Sequence, residues 1–183
     1  MQIQDSAVIV TGGASGLGFA TAQRFSAAGA RVTLFDLAGD KLEEAAAQLG
    51  ALAAPCDITD ATAISQALSA SIKAHGQPRI LINCAGVTHG ERIVGRDGPA
   101  SLEAFARTVH INLVGTFNVM RLVAAKMAEA EALEDGECGV IINTASAAAF
   151  EGQIGQAAYA ASKGGVASLT LPAAREFARS GIR

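Results

Sequence analysis

The sequence is poor in charge, has no surplus of basic residues and contains no long apolar run. Only 17% of its 183 residues are charged, and the formal net charge is -3. Such a chain lacks the basic footprint of nucleic-acid-binding proteins and the polybasic patches that bind anionic membranes. Glycine or polar residues interrupt every apolar stretch well before the length that spans a bilayer. We therefore expect neither nucleic acid nor a membrane as a partner.

Cysteine is scarce, and its spacing fits neither a disulfide framework nor a zinc site. The three cysteines are widely separated, at Cys56, Cys84 and Cys138. The three histidines also have no partner at metal-ligand spacing; they are His75, His89 and His110. We expect reduced thiols and no bound metal. The first residues, Met1–Asp5, carry no positive charge, unlike a signal or transit peptide, so we expect a cytoplasmic protein.

The chain does contain a regular alternation of short apolar runs and longer helix-like segments. Half of the residues are apolar, which excludes a disordered chain. The short runs predict strands over Ala7–Val10, Arg31–Phe35, Leu52–Cys56, Ile80–Ile82 and Val140–Asn143. The longer segments predict helices over Leu17–Ala28, Lys41–Leu49, Thr59–His75, Ser101 to about Ala130, and Ala157–Ser180. These repeats predict one α/β domain over residues 1–183, a doubly wound parallel sheet with helices on both faces.

The connections between these elements carry three further expectations. Val87–Pro99 is polar and contains glycine, which predicts a loop, and Glu131–Gly139 is an acidic connection. Thr59 and Asp60 are suitable caps for the third helix. Pro172 lies inside the last helix and should kink it or end its first part, because proline lacks the backbone N–H.

A glycine-rich segment follows the first strand and opens the first helix. Its glycines include Gly12, Gly16 and Gly18, with Ser15 and Leu17 between them. Glycines allow a sharp turn and close approach to a pyrophosphate, and a helix N-terminus supplies free N–H groups. The spacing is G-x-x-x-G-x-G rather than the commoner G-x-G-x-x-G, and turns also use glycine. Its position after the first strand favours a Rossmann-type dinucleotide site.

Asp36 ends the second strand, eighteen residues after Gly18. A carboxylate there can accept hydrogen bonds from the adenosine ribose hydroxyls and would repel a 2′-phosphate. No Lys or Arg lies within four residues after it to offset that repulsion. Asp36 therefore predicts NAD rather than NADP, although an aspartate here can also be a simple helix cap.

Two further segments carry candidate chemistry. Tyr159 and Lys163 are four residues apart on a predicted helix and so share one face. Tyrosine ordinarily titrates near pH ~10, and a nearby ammonium favours its phenolate form. Ser146 follows the fifth strand and can hydrogen-bond a substrate oxygen. Alone, each is more often a surface pair or a turn residue; after a nucleotide-binding half, the catalytic interpretation is favoured.

Together these residues resemble the short-chain dehydrogenase/reductase family across essentially the whole chain. The resemblance rests on Thr11–Gly18, Asp36, Asp57, Asn83–Gly86, Asn112, Ser146, Tyr159 and Lys163, in family order and spacing. It implies that Tyr159 is the acid/base, that Lys163 binds the nicotinamide ribose and that Ser146 positions the substrate oxygen. It also implies that Asn112 holds a water in a relay through Lys163 and that Gln153 lies near the substrate carbonyl.

The resemblance also implies the cofactor and the reaction. The implied NAD contacts are Gly12, Ser15, Gly16, Leu17, Gly18, Asp36, Asp57, Ile58, Asn83, Cys84, Ala85, Gly86, Tyr159 and Lys163. The finer similarity, over Asn112–Val123 and Val140–Gly165, is to the subgroup that oxidises 3-hydroxyacyl-CoA to 3-oxoacyl-CoA. Two alternatives stay open: a 3-oxoacyl-thioester or hydroxysteroid reductase, and a non-catalytic fragment that only binds nucleotide.

The family continues past Gly181–Arg183 into a sixth strand, a substrate lid and a seventh strand. The resemblance therefore implies a chain that lacks its last strands and leaves an unpaired sheet edge, which favours aggregation. It also implies a homo-oligomer, a dimer or tetramer, for the full-length protein.

Overall fold

The computed structural model describes residues 1–96 and 98–183 and contains a five-stranded parallel sheet. Its strands are β1 (Ala7–Thr11), β2 (Arg31–Asp36), β3 (Leu52–Pro55), β4 (Ile80–Asn83) and, later in the chain, β7 (Val140–Asn143). The strand order is β3-β2-β1-β4-β7, so β1 is central. The order in which successive strands are added to the sheet reverses between β1 and β4, and ligands in such sheets bind at that switch point.

Helices cover both faces of the sheet. They are α1 (Gly16–Ala27), α2 (Asp40–Leu49), α3 (Ala61–His75), α4 (Leu102–Val109), α5 (Thr116–Ala128), α6 (Ala148–Glu151) and α7 (Ala157–Phe177). Alternate residues of β1 enter two cores: Ile9 packs with α3 and α5, whereas Val8 and Val10 pack with α1 and α2. This confirms the predicted doubly wound architecture.

The predicted elements agree with the structure to within a few residues at their ends. Asp60 caps α3, and its side chain accepts hydrogen bonds from the backbone N–H groups of Thr62 and Ala63. Ser101 caps α4 by accepting from Ala104 N. Both caps satisfy donors that the first turn of a helix leaves free.

Three features differ from the sequence expectations. The long helix predicted after Ser101 is divided by a π-helical segment, His110–Gly115, between α4 and α5. The loop predicted at Val87–Pro99 contains a small antiparallel pair, β5 (Val94–Gly95) and β6 (Gly98–Pro99). The helix α7 runs through Pro172 to Phe177, so Pro172 does not end it. A short 3-10 turn, Ala178–Ser180, completes that region.

The expected unpaired sheet edge is partly paired at one end of β7. Ile182 forms a parallel bridge with Gly139, and the N–H of Ile141 donates to the Arg183 carbonyl over 2.8 Å. Ile182 is 2% exposed and belongs to the core that contains α3 and α5. These residues therefore extend the hydrogen-bonding pattern of the sheet beside β7. None of the described helices is long and apolar enough to cross a membrane.

Candidate active site

A cleft of about 630 Å³ opens at the carboxyl ends of β1, β2 and β4. It brings together eleven of the residues predicted to contact the cofactor: Gly12, Ser15, Gly16, Leu17, Gly18, Asp36, Asp57, Ile58, Cys84, Ala85 and Gly86. The carboxyl ends of parallel strands are where this class of sheet binds ligands. The position and lining of the cleft suit an extended dinucleotide.

The glycine-rich loop is shaped by a close backbone contact. A Cβ atom on Gly18 would overlap the Gly12 carbonyl oxygen, so only glycine allows the start of α1 to approach the end of β1. Around Gly16, by contrast, an added Cβ would meet no atom within 4 Å. The loop is therefore tight beneath and open toward the cleft. In the described structure no side chain caps the first turn of α1, so its N–H groups stay available to an anion.

Asp36 closes this loop from β2. One carboxylate oxygen accepts from Ala14 N over 2.9 Å and the other from Leu37 N over 2.8 Å. Each oxygen can accept a further hydrogen bond, and Asp36 lines the cleft. A side chain predicted to bind ribose thus also fixes the backbone of the glycine loop.

The next wall of the cleft is formed by Asp57 and Ile58. Asp57 accepts from both the backbone N–H and the hydroxyl of Thr59, each over 2.8 Å, which fixes the turn after β3. The Ile58 carbonyl accepts from the buried Asn118 Nδ2 over 3.0 Å. The Ile58 side chain packs directly against Gly115, where any Cβ would collide with it. The π segment and α5 therefore hold this wall.

A row of polar side chains crosses the sheet below the cleft. Thr11, Asn83 and Asn143 are register partners on β1, β4 and β7. Thr11 Oγ1 accepts from the N–H groups of Cys84 and Ala85, each over 3.1 Å, and Asn83 Nδ2 donates to Asn143 Oδ1 over 2.8 Å. Asn83 is 3% exposed and does not line the cleft, so the structure gives it a supporting position beneath the predicted cofactor contacts.

Asn112 lies in the π segment and is fully buried. Its side-chain oxygen accepts from Val87 N over 2.7 Å, and its Nδ2 donates to Val87 O over 2.8 Å. The same Nδ2 donates to Ser162 Oγ over 3.0 Å. π-helical turns are rare and occur mostly at functional sites. This one joins the loop after β4 to α7.

Lys163 is buried in α7, and its ammonium donates to the Thr144 carbonyl over 2.6 Å. Burial lowers the pKa of Lys163 from its usual value, and the neighbouring Cys84 opposes that shift. A Cβ built on Gly86 would lie 3.8 Å from the Lys163 Nζ. The ammonium therefore sits beside the loop that lines the cleft, although Lys163 does not itself line it.

Three further predicted residues, Tyr159, Ser146 and Gln153, precede Lys163 in the chain. Tyr159 is half-buried, and Lys163 Nζ is 6.0 Å from the centre of its ring. Ser146 Oγ accepts from Ala148 N over 3.2 Å at the start of α6, which packs against α7. Gln153 is exposed in the loop between these helices. These residues lie outside the lining of the cleft, as does Asn112.

Sequence reasoning missed several residues that shape this region. Additional lining of the cleft comes from Phe35, Leu37, Cys56, Thr59, Val87, Arg107, His110 and Ile111. Arg107 lies on a predicted helix, and nothing in its sequence position indicates that it lines the cleft. Thr144 was missed as an individual contact because it acts through its carbonyl, which every residue possesses. Among the described residues, no three His, Cys, Asp or Glu side chains are placed to hold a metal ion.

The chain is similar in sequence and in fold to several known proteins. The family model described as short chain dehydrogenase matches residues 6–183. The 3-hydroxyacyl-CoA dehydrogenase type-2 of Bos taurus is 46% identical over 179 residues, which is 96% of this chain and 69% of that protein. The protein of the same name from Drosophila melanogaster is 46% identical over 185 residues, or 99% of this chain and 72% of that protein.

A solved structure shows the same arrangement of elements. The crystal structure of 3-hydroxyacyl-CoA dehydrogenase type-2 from Mycobacterium avium superposes with a TM-score of 0.93 at 44% identity. The match covers 98% of this chain and 72% of that one.

Proposed function

Because this chain belongs to the short-chain dehydrogenase family, we propose that it uses NAD to oxidise the secondary alcohol of a 3-hydroxyacyl-CoA to a ketone. The observation that carries the proposal is the buried Lys163 ammonium, which lies beside Tyr159 on one side and Gly86 of the cleft on the other. A phenol next to a fixed cation is suited to accept a proton from an alcohol.

The cleft fits a dinucleotide on structural grounds. The space above Gly16 is open, the first turn of α1 keeps its N–H groups, and Asp36 stands at the end of β2. The α1 N-terminus would hold the pyrophosphate and Asp36 the adenosine ribose. The negative charge of Asp36 supports NAD over NADP, since a 2′-phosphate there would meet a carboxylate.

A bound NAD would supply the acceptor for the hydride that leaves the alcohol carbon. Tyr159 takes the hydroxyl proton, and Lys163 stabilises the phenolate that does so. Thr144 holds the Lys163 ammonium in place through its carbonyl. Ser146 orients the substrate oxygen. Asn112 fixes the loop after β4 that would contact the cofactor, and it supports the proton relay through Lys163. Positioning of this kind supplies a large part of enzymatic rate acceleration.

The substrate class is supported by the relatives. The Bos taurus and Drosophila melanogaster relatives, each 46% identical to this chain, carry the name 3-hydroxyacyl-CoA dehydrogenase type-2. Gln153, exposed between α6 and α7, would contact the substrate near its carbonyl. A cytoplasmic location and a homo-oligomeric state stay predictions from the sequence.

The test is NAD-dependent turnover of a short 3-hydroxyacyl-CoA by the purified protein, with NADP and with the reverse reaction as comparisons. We expect NADH formation with 3-hydroxyacyl-CoA and a lower kcat/KM with NADP. Turnover confined to 3-oxoacyl thioesters or ketosteroids with NADPH would favour a reductase. Tight NADH binding without turnover in either direction would favour a nucleotide-binding protein instead.

A further inference from the structure

We infer that Ser162 is a positioning residue that fixes Tyr159 relative to the cofactor loop by linking α7 to Asn112. The inference rests on the proposed function, in which Tyr159 is the acid/base. It assigns a role to a buried side chain that does not line the cleft. Ser162 therefore acts through its neighbours rather than on the reacting atoms.

The Ser162 hydroxyl is fully buried and makes two hydrogen bonds. It donates to the Tyr159 carbonyl over 2.8 Å, and it accepts from Asn112 Nδ2 over 3.0 Å. A serine in a helix often bonds to the carbonyl of the preceding turn, and that bond alone indicates no function. The second bond, to a different element fifty residues away, is what distinguishes Ser162.

Asn112 extends the connection to the cofactor side. The two remaining bonds of its amide hold both the N–H and the carbonyl of Val87, next to Gly86 of the cleft. A continuous path of hydrogen bonds thus runs from Val87 through Asn112 and Ser162 to the backbone of Tyr159. Every group on it is satisfied, and such buried networks fix one geometry when complete.

The packing around this path keeps the two helical segments close. An added Cβ on Gly165 would lie 2.6 Å from Leu113 Cδ2, so α7 meets the π segment at a glycine. The Lys163 ammonium is tied separately to the Thr144 carbonyl. Loss of the Ser162 hydroxyl would leave the bond from Lys163 to Thr144 intact but would remove the link between Tyr159 and Asn112. We expect the phenol then to change its position relative to the ammonium and the cofactor.

The test compares Ser162→Ala with Ser168→Ala, the same change at an exposed position of the same helix. We expect Ser162→Ala to lower kcat on the order of 10- to 100-fold, the effect of misplacing a reacting group by a fraction of an ångström to an ångström. The Kd for NADH should change by less than about twofold, because the adenosine contacts are remote from this path. In Ser162→Ala, the pH at which kcat rises should be higher than in wild type, because a displaced phenolate gains less stabilisation from the Lys163 ammonium. Ser168→Ala should behave as wild type.

A second variant covers the case in which Ser162→Ala fails to fold. Ser162→Cys keeps nearly the same volume but offers a weak acceptor to Asn112, and it should show the same shift of the pH profile. Wild-type kcat and an unmoved pH profile in a folded variant would overturn the inference. So would a loss of NADH affinity equal to the loss of kcat, since that indicates general disruption.

The proposed function is tested separately by Tyr159→Phe. If that variant keeps turnover, the acid/base assignment fails and Ser162 has nothing to position. If Tyr159→Phe is inactive while Ser162→Ala and Ser162→Cys match wild type, the acid/base assignment stands and only the role of Ser162 is wrong.

Discussion

Lys163 and Tyr159 lie one turn apart on α7, with the ammonium 6.0 Å from the centre of the phenol ring. Lys163 is buried, whereas Tyr159 is only half-buried. The hydrogen bond from the Lys163 ammonium to the Thr144 carbonyl fixes the position of the ammonium. The structure thus provides a fixed cation and a partly accessible phenol. That asymmetry suits a proton-transfer group served by a permanent electrostatic partner.

Replacing Tyr159 with phenylalanine removes the hydroxyl and keeps the ring. We expect turnover to fall by about 10²- to 10⁴-fold, the usual contribution of a general acid/base, with NADH binding retained. Lys163→Ala should weaken both turnover and NADH binding. Steady-state kinetics and fluorescence titration measure the two effects. Turnover near wild type in Tyr159→Phe would mean that another group transfers the proton.

Asp36→Asn removes one negative charge from the cleft while keeping an acceptor for Ala14 N. We expect the preference for NADH over NADPH to shrink about tenfold, because the variant no longer repels a 2′-phosphate. Asp36→Ala should shrink it as well, with added weakening of NADH binding because the glycine loop loses its bond. Titration with both cofactors gives the ratio. Tighter binding of NADPH by the wild-type protein would contradict the assignment.

The burial of Lys163 predicts a pH dependence of stability. Its pKa in the folded protein lies below the usual 10.5, so the unfolded chain binds more protons between the two values. The free energy of unfolding should therefore rise with pH across that interval, as the cost of burying the ammonium disappears. Urea unfolding of wild type and Lys163→Met from neutral pH to about 10.5 should show wild type gaining relative to the variant.

The exposed Lys73 provides the control for this measurement. The difference between wild type and Lys73→Met should stay constant over the same pH range. If the difference in free energy of unfolding between wild type and Lys163→Met stays constant as well, burial does not disfavour the protonated form of Lys163.

Two adjacent glycines of α7 should respond oppositely to alanine. At Gly164 an added Cβ finds its nearest neighbour at 3.9 Å, so the substitution should stabilise by about 0.5–1 kcal/mol through helix propensity. At Gly165 the Cβ would meet Leu113 Cδ2 at 2.6 Å, and crowding should cost about 1–3 kcal/mol. Thermal melting of both variants tests the contrast, and equal melting temperatures would argue against the close contact with the π segment.

The cleft cysteines should differ in reactivity. Burial, with added effects from Asp36 and Asp57, raises the pKa of Cys56 to about 12, so its thiolate is scarce near neutral pH. Cys84 is half-buried and also lines the cleft. We expect iodoacetamide to label Cys84 before Cys56, and NADH to slow that labelling. Peptide mapping, with Cys84→Ser as the control, identifies the site; labelling of Cys84 unaffected by NADH would place the cofactor elsewhere.

Most of the sheet could be predicted because strands covered on both faces have a simple signature of short apolar runs. The approximate ends of the five sheet strands could be predicted without knowledge of packing. The π segment could not be predicted, since a single extra residue in a helical turn changes the apolar spacing too little to be seen. The pair β5 and β6, with two residues each, is shorter than any usable pattern.

The site was predicted unevenly. Gly12, Asp36 and Tyr159 stand in patterns whose chemistry is visible locally. Ser162 was not singled out, since an isolated serine in a helix usually bonds to its own preceding turn. Asn118, which holds the Ile58 carbonyl, lies sixty residues from its partner, and no local pattern predicts such a contact.

The central place of β1 also predicts when the cleft is completed during folding. The Thr11–Asn83 contact spans 72 residues, and closing so long a loop is slow and entropically costly. The first βαβ unit supplies Gly12–Gly18 and Asp36 but lacks the wall formed by Cys84 and Gly86. A dinucleotide that needs both walls can bind tightly only after β4 has docked. A bound dinucleotide would therefore slow unfolding by holding β4 in place. It would leave the earliest refolding steps unchanged.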